Sequence, residues 1–189
     1  MPHNDQDVES NFYDVDDILA KSTGVSCLFN KNSPADFFTE MLGIRKTKQV
    51  EDKQFSSEVP LWLVDSVRSH CTISLPQTFT PGMISVLQAD ARSVNLARNE
   101  KYFYVLGIEL CHLFKDDDQE TATKLANCIL NTLTQRVGSV VAKALHGEMK
   151  ADKLDCQEEA IFETGKLCKL DIDDWLNCTS TVSRRKRKL

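Results

Sequence analysis

The sequence predicts a mainly α-helical protein, in which a domain of about five helices follows a small β-containing domain. Apolar residues recur at helical spacing through one long segment, and prolines stand where two helices should begin. Short extended stretches lie ahead of these signals, in the first third of the chain. We therefore expect four regions: a frayed N-terminus (1–10), a small β-rich domain (11–56), a helical domain (57–178) and a flexible basic tail (179–189).

The β-rich domain is predicted from short elements. Asp14–Asp17 can cap and charge a short helix that begins near Asp16, because acids are favoured in a first turn. Extended candidates follow at Gly24–Phe29 and Phe37–Ile44, and the segment Asn30–Pro34 has the composition of a turn between them.

The helical domain begins near Ser57, where the composition changes. Pro60 and Pro81 suit the first turns of two helices, and Thr80 suits the N-cap of the second. The predicted elements are a helix over Glu58–Val67, an extended run Cys71–Pro76, helices from Thr80 to about Arg98 and from Glu100 to Phe114, a long fourth helix, and a fifth over Leu154–Leu170 with a final turn Asp171–Asn177.

The fourth helix has the clearest periodic signal in the sequence. Asp116–Asp118 should open it and Gly147 should end it. Its apolar stripe contains Ala122, Leu125, Ala126, Ile129, Leu130, Leu133, Val137, Val140, Val141, Ala144 and Leu145. This stripe is wider than a single core-facing side requires, so we expect the helix to be central in a bundle or covered by another subunit.

Composition places the chain among intracellular globular proteins. Of its 189 residues, 41% are hydrophobic and 27% charged, and no apolar run is long enough for a transmembrane helix. The polar, acidic N-terminus predicts no secretory signal. Seven scattered cysteines without a C-x-x-C pair indicate reduced, mostly buried thiols and no zinc site.

Charge argues against nucleic acid as the main partner. The net charge is −5, and the last six residues contribute +5, so the preceding 183 residues carry −10. An acidic body cannot neutralise many phosphates, and any DNA contact should be indirect or minor. The run Arg184, Arg185, Lys186, Arg187 and Lys188 is better explained as a nuclear-import signal than as a DNA-binding segment or an inert tail.

Catalytic, cofactor and metal sites are not predicted. No glycine-rich phosphate loop is present, and helix capping explains Asp14, Asp16 and Asp17 better than Mg²⁺ binding does. Cys111 and His112 could form a nucleophile and its base, but neighbouring helical residues point about 100° apart. A cysteine-dependent enzyme therefore remains only an alternative hypothesis.

Partner contacts are the favoured role for several apolar side chains. Three successive aromatic residues, Tyr102–Tyr104, cannot all face one core, so at least one should meet a partner or the surface. Tryptophan is enriched at interfaces. The candidates for a partner interface are Trp62, Tyr102, Phe103, Tyr104, Leu130, Leu133, Val137, Phe162 and Trp175.

Four segments, taken in order, resemble the third-subunit family of the GINS complex (the PSF-three type). They are Phe12–Leu19, Val59–Leu63 with Ile73–Pro76, Tyr102–Gly107, and Ile161–Gly165 with Asp171–Trp175. Where relatives often have Gly-Pro before the aromatic run, this chain has Asn99–Lys101.

The resemblance implies a β-rich B domain followed by a helical A domain. It implies assembly with the three other GINS subunits through long A-domain helices. It also implies that this tetramer supports the replicative helicase, together with the MCM ring and its cell-division-cycle partner, during initiation and elongation of DNA replication in the nucleus. A nuclear helical adaptor of another multiprotein complex is the alternative function.

Overall fold

The computed structural model describes residues 14–30, 37, 40, 46–50, 54–148, 150 and 152–186. In chain order its elements are α1 (Val15–Lys21), β1 (Gly24–Phe29), β2 (Lys46–Val50), β3 (Gln54–Pro60), α2 (Leu61–Val67), β4 (Cys71–Ile73), α3 (Pro81–Asp90), α4 (Leu96–Asn99), α5 (Phe103–Phe114), α6 (Gln119–Leu145) and α7 (Cys156–Lys186). Short 3₁₀ helices at Arg68–His70 and Gln77–Phe79 flank β4. The predicted fold class, a helical bundle behind a small β-containing part, is confirmed.

The four strands form one antiparallel sheet in the order β2-β3-β1-β4. Its buried face alternates along β1 and β3, as the two-residue period of a strand requires. Phe29 of β1 stacks on Phe55 of β3, with their ring centroids 4.6 Å apart. β1 matches the predicted strand, whereas Phe37 and Glu40 are helical, so the extended prediction is wrong at those two positions of 37–44.

The sheet and the helices share one hydrophobic core. This core joins the inner face of β1 and β3 to α2, α5 and the first half of α6, from Val25 to Ile129. The boundary expected after residue 56 falls within β3, and β4 at Cys71–Ile73 belongs to the same sheet. The division of the chain into two domains therefore remains a prediction.

Close helix crossings hold this core together. A Cβ added at Gly107 of α5 would lie 2.6 Å from the Cδ1 of Ile129 on α6, and one added at Gly165 of α7 would lie 2.9 Å from the Cβ of Ala144. Both distances are shorter than van der Waals contact, so α6 approaches α5 and α7 at glycines whose replacement by a larger residue would force neighbouring atoms to move.

The predicted ends of α6 are confirmed. Asp118 is its N-cap, and the Oδ1 of Asp118 accepts a hydrogen bond from the N–H of Thr121 at 3.0 Å. Gly147, with φ +80°, follows the C-cap residue His146. Asp14 likewise caps α1, where its Oδ1 accepts from the N–H of Asp16.

The predicted helix from Thr80 to Arg98 is wrong in its middle, because α3 ends at Asp90 and a separate turn, α4, begins at Leu96. Side chains compete with the helical hydrogen bonds there: Asp90 Oδ1 accepts from the N–H of Arg92, and Asn95 Oδ1 accepts from the N–H of Arg98. The freed carbonyl oxygens of Ala91 and Val94 accept hydrogen bonds from Arg136 at 2.7 and 2.9 Å.

Arg136 is the centre of a buried polar cluster. Its Nε and Nη2 donate to the two carboxylate oxygens of Glu158 at 2.7 and 2.8 Å, and Nη2 also donates to the carbonyl of Lys153. Tyr104 donates its hydroxyl to Glu158 at 2.7 Å. Burial lowers the pKa of Arg136, but the hydrogen bonds and charge of Glu158 outweigh this and leave that pKa raised.

The side chain of Glu158 also caps the N-terminal end of α7. Asp155 is in the N-cap position, where its Oδ1 accepts from the N–H of Gln157 at 2.6 Å, and Glu158 Oε2 accepts from the N–H of Asp155 at 3.3 Å. The two hydrogen bonds form a variant of the capping box, in which the N–H of Gln157 rather than that of Glu158 donates to the N-cap side chain. The same carboxylate therefore begins one helix and binds the arginine of another.

Replacing Arg136 with Met should lower the free energy of unfolding by about 3–5 kcal/mol, because Glu158 would remain buried without its cation. A double variant, Arg136→Met with Glu158→Met, should recover part of that loss. The carbonyls of residues 91, 94 and 153 would still lack their donor. Chemical unfolding monitored by circular dichroism measures both changes, and a single variant as stable as the parent would contradict this role for Arg136.

Asp155 should make stability depend on pH. Burial raises the pKa of Asp155 to about 6, although N–H groups of Gln157 and Tyr104 oppose that shift. Since the pKa is raised in the folded state, the contribution of Asp155 is fully present below about pH 4 and is lost as the pH rises through about 6.

Asp155→Asn keeps a good N-cap and removes the titration. The free energy of unfolding of the parent relative to this variant should fall by up to about 3 kcal/mol between pH 4 and pH 7. A difference that does not change with pH would show that Asp155 does not titrate in this range.

Candidate partner interface

α7 is the longest helix that the structure describes, with 31 residues and a length of about 46 Å. We expected a helix to about Leu170 and a separate final turn ending at Asn177. The helix is instead continuous to Lys186, so the end predicted for the helix and the end predicted for the turn are both wrong. Glu158 and Glu159 lie in its first turn and the basic residues 184–186 in its last, so the charges at both ends interact favourably with the helix dipole. The two charged ends favour one uninterrupted helix.

The contacts between α6 and α7 show that the two helices run side by side in the same direction. Arg136 meets Glu158, Val140 and Ala144 pack with Phe162, and Ala144 lies against Gly165. Gly147, just beyond the end of α6, is beside Lys169. The remaining 17 residues of α7 therefore continue for about 25 Å past the end of α6.

This continuation carries an apolar face. Cys168, Ile172 and Trp175 follow one another at i, i+4 and i+7, and Leu176 lies next to them on the helix surface. We call these four residues the α7 face. Trp175 is 66% exposed and Ile172 52% exposed, and Cys168 and Leu176 are exposed as well.

A second apolar strip lies along α6. The α6 stripe comprises Ala126, Leu130, Leu133, Val137 and Val141. Leu130 is 59% exposed, Val137 is half-buried, and Leu133 packs partly against the core. The adjacent side of the helix, from Leu125 to Ala144, supplies the buried residues. The unusually wide periodic pattern thus divides into a buried side and a partly exposed one.

Four of the predicted interface residues lie inside this chain instead. Tyr102, Phe103, Tyr104 and Phe162 are all buried, so the expectation that at least one of the three successive aromatics meets a partner or the surface is wrong. Tyr102 precedes α5 and donates its hydroxyl to Asp16, Phe103 stacks on Phe79, and Tyr104 reaches Glu158. The three side chains contact three different elements, because Tyr102 precedes the helix and can point away from the other two.

The remaining predicted site residues are Trp62 and the basic residues near the C-terminus. Trp62 of α2 is 63% exposed and lies apart in sequence from the α7 face. Arg184, Arg185 and Lys186 form the end of α7, while Arg187 and Lys188 lie outside the described residues. Their role in nuclear import therefore stays a prediction.

The surroundings of Cys111 do not favour a catalytic thiol. Burial raises the pKa of Cys111, whereas a nucleophilic cysteine requires a lowered one. All seven cysteines are free thiols, and Cys168 and Cys178 are exposed. Across the described part of the chain, no group of three or more His, Cys, Asp or Glu side chains could hold a metal ion. No helix in those ranges is both long and apolar enough to cross a membrane.

The fold and this surface define a class: helical-bundle proteins that present apolar helix surface for assembly. A family model described as "Sld5: GINS complex protein helical bundle domain" matches residues 78–177, which is more than half of the chain. The chain therefore belongs to the GINS family of helical bundle proteins, and the resemblance found in the sequence is confirmed.

Relatives in several eukaryotes are similar to this chain over most of its length. The protein from Bos taurus named "DNA replication complex GINS protein PSF3" is 28% identical, with 88% of this chain and 81% of the relative covered. The protein of that name from Schizosaccharomyces pombe is 24% identical, with 90% and 99% covered, and the one from Homo sapiens is 25% identical.

The polar cluster was not predicted from the sequence, and α7 is longer than expected. The capping box was visible as Asp155-x-x-Glu158, the acidic counterpart of a recognised helix-start motif. The pairing of Arg136 with Glu158 had no such signal, because 22 residues and a turn separate the two.

The exposed α7 face should make the isolated chain self-associate. Isolated protein should be helical by circular dichroism, bind a hydrophobic dye and elute larger than a monomer, because apolar surface of this kind favours association. Replacing both Ile172 and Trp175 with Asp should reduce dye binding and restore a monomer.

Leu170→Asp is the matched control. Leu170 is 60% exposed on the same helix but lies about 160° around it from Ile172, so its replacement should change dye binding less. A parent chain that is a stable monomer and does not bind the dye would contradict the prediction that the α7 face promotes association.

Proposed function

We propose that this chain is a non-catalytic scaffold subunit of a GINS heterotetramer, with the α7 face and the α6 stripe buried against the other three subunits. The observation that carries this proposal is the continuation of α7 past α6 with its apolar face exposed. A single helix in water gains little from such a face, whereas burying each large apolar side chain contributes about 1.5–3 kcal/mol.

The printed names of the relatives support the same assembly. Each relative is described as a protein of the DNA replication complex GINS, and each covers most of this chain. Interfaces of obligate complexes commonly bury more than about 2,000 Å² and resemble a divided core. Two helix surfaces and the exposed Trp62 on α2 can supply area of this kind.

The mechanism is one of positioning. The tetramer would hold the MCM ring and its cell-division-cycle partner in register during initiation and elongation of DNA replication in the nucleus. Binding free energy, rather than bond chemistry, would be this chain's contribution. The net charge of −10 over residues 1–183 is consistent with a DNA contact that is indirect or minor.

Co-expression with an affinity-tagged GINS partner tests this proposal. Combined replacement of Ile172 and Trp175 with Asp should weaken the association by about 30-fold or more, because a buried tryptophan commonly contributes 2 kcal/mol or more at an interface. Leu130→Asp should weaken it as well. Leu133→Asp is less informative, because Leu133 also packs on the core and its replacement would destabilise the fold.

Leu170→Asp again supplies the control and should leave co-purification nearly unchanged. Retention of the Ile172/Trp175 variant at the parental level would show that the α7 face is not the interface. If the chain co-purifies with a nuclear complex that lacks GINS and MCM proteins, the adaptor hypothesis replaces this one.

A further inference from the structure

A polar cavity of about 300 Å³ lies between the second half of α6, the turn after α3 and the segment leading into α7. It is separate from the α7 face and the α6 stripe. Its charged lining, apart from Arg136, comprises Arg92, Lys143, Glu148, Lys150, Asp152 and Lys153. The guanidinium of Arg136 also borders the cavity, but it is neutralised by Glu158.

The four remaining cations are not neutralised in the same way. Lys21, Lys124, Lys166 and Lys169 each form an ion pair within their own helix. Within the described residues, Arg92, Lys143, Lys150 and Lys153 form none, although two carboxylates share the cavity with them. The result is a local excess of positive charge on a chain whose body is acidic.

Arg92 is held in place by two hydrogen bonds. Its Nε donates to the backbone carbonyl of Gln135 at 2.8 Å, and its own N–H donates to Asp90. Its two Nη groups have no hydrogen-bond acceptor among the described residues. A guanidinium fixed through Nε presents its other donors in the planar fork that suits phosphate oxygens.

Lys153 adds an independent observation. It has a φ of +71° and is the sole non-glycine residue with positive φ in the described part of the chain. This backbone directs its carbonyl to Nη2 of Arg136 at 2.8 Å. Glycine would adopt the same conformation at lower cost, so the backbone of Lys153 is strained at a position that lines the cavity.

We propose that this cavity binds the phosphate group of a phosphorylated serine or threonine on a partner protein. A phosphomonoester carries a charge of about −1.5 to −2 on three acceptor oxygens, which matches several cations around a small cavity. A nucleic-acid backbone would instead require cations spread along a track, whereas these cations are grouped around one cavity.

Fluorescence anisotropy with short labelled peptides tests the proposal on the full chain. The probes are a Gly-Gly-phosphoserine-Gly-Gly peptide, its serine and glutamate counterparts, and an oligothymidylate of similar length, all at one low salt concentration. The phosphoserine peptide should bind at least 10-fold more tightly than the serine peptide. Preferential binding of oligothymidylate, or equal binding of the serine and phosphoserine peptides, would overturn the proposal.

Variants then locate the site. Combined Lys143→Ala and Lys150→Ala should weaken phosphopeptide binding by about 10-fold, since each removes a charge-assisted contact. Lys115→Ala, which removes an exposed and unpaired lysine from outside the cavity, is the control and should have no effect. Unchanged binding in the double variant would place the phosphate elsewhere.

Lys153→Gly separates a binding role from a structural one. This variant should raise the melting temperature, because it relieves the positive-φ strain, and it should weaken phosphopeptide binding by about 3-fold or more. A raised melting temperature with unchanged affinity would show that the lysine side chain does not contact the phosphate.

Discussion

The buried pairing of Arg136 with Glu158 is the interaction on which the rest of the structure depends. Glu158 lies in the first turn of α7 and Arg136 about two-thirds of the way along α6, so their hydrogen bonds fix where α7 starts against α6. The same guanidinium accounts for the turn after α3 by binding two of its carbonyls. All five of its N–H donors have acceptors, as a charge removed from water requires.

From this constraint the exposed surface follows. α7 starts about two-thirds of the way along α6 and runs in the same direction. Because α7 is much longer than the remaining part of α6, it extends past the end of that helix. Its first half meets α6 at Phe162 and Gly165, while its second half presents Ile172 and Trp175 outward. Membership of a family of complex-forming helical bundles gives that apolar surface a physical purpose, because a companion subunit can cover what the chain itself leaves exposed.

Local signals in the sequence predicted much of the fold. The apolar period of α6, its Asp118 cap and Gly147 end were all readable, because each depends on residues a few positions apart. The break after Asp90 and the burial of Tyr102–Tyr104 were not, since both depend on partners such as Arg136, Asp16 and Phe79 that lie far away in the chain. Among the candidate interface residues, Leu130 and Trp175 are exposed, whereas Phe103 and Phe162 are buried within the chain itself.

Hydrogen–deuterium exchange, measured on the chain diluted until it is monomeric and on the chain in its assembly, tests the central claim most directly. Amides of residues 158–165 should exchange slowly in both states, because α6 covers that part of α7. Amides of residues 170–178 should exchange quickly in the isolated chain and slowly in the assembly. Equal protection of residues 170–178 in both states would mean that no companion covers this end of α7, and the scaffold account would be wrong.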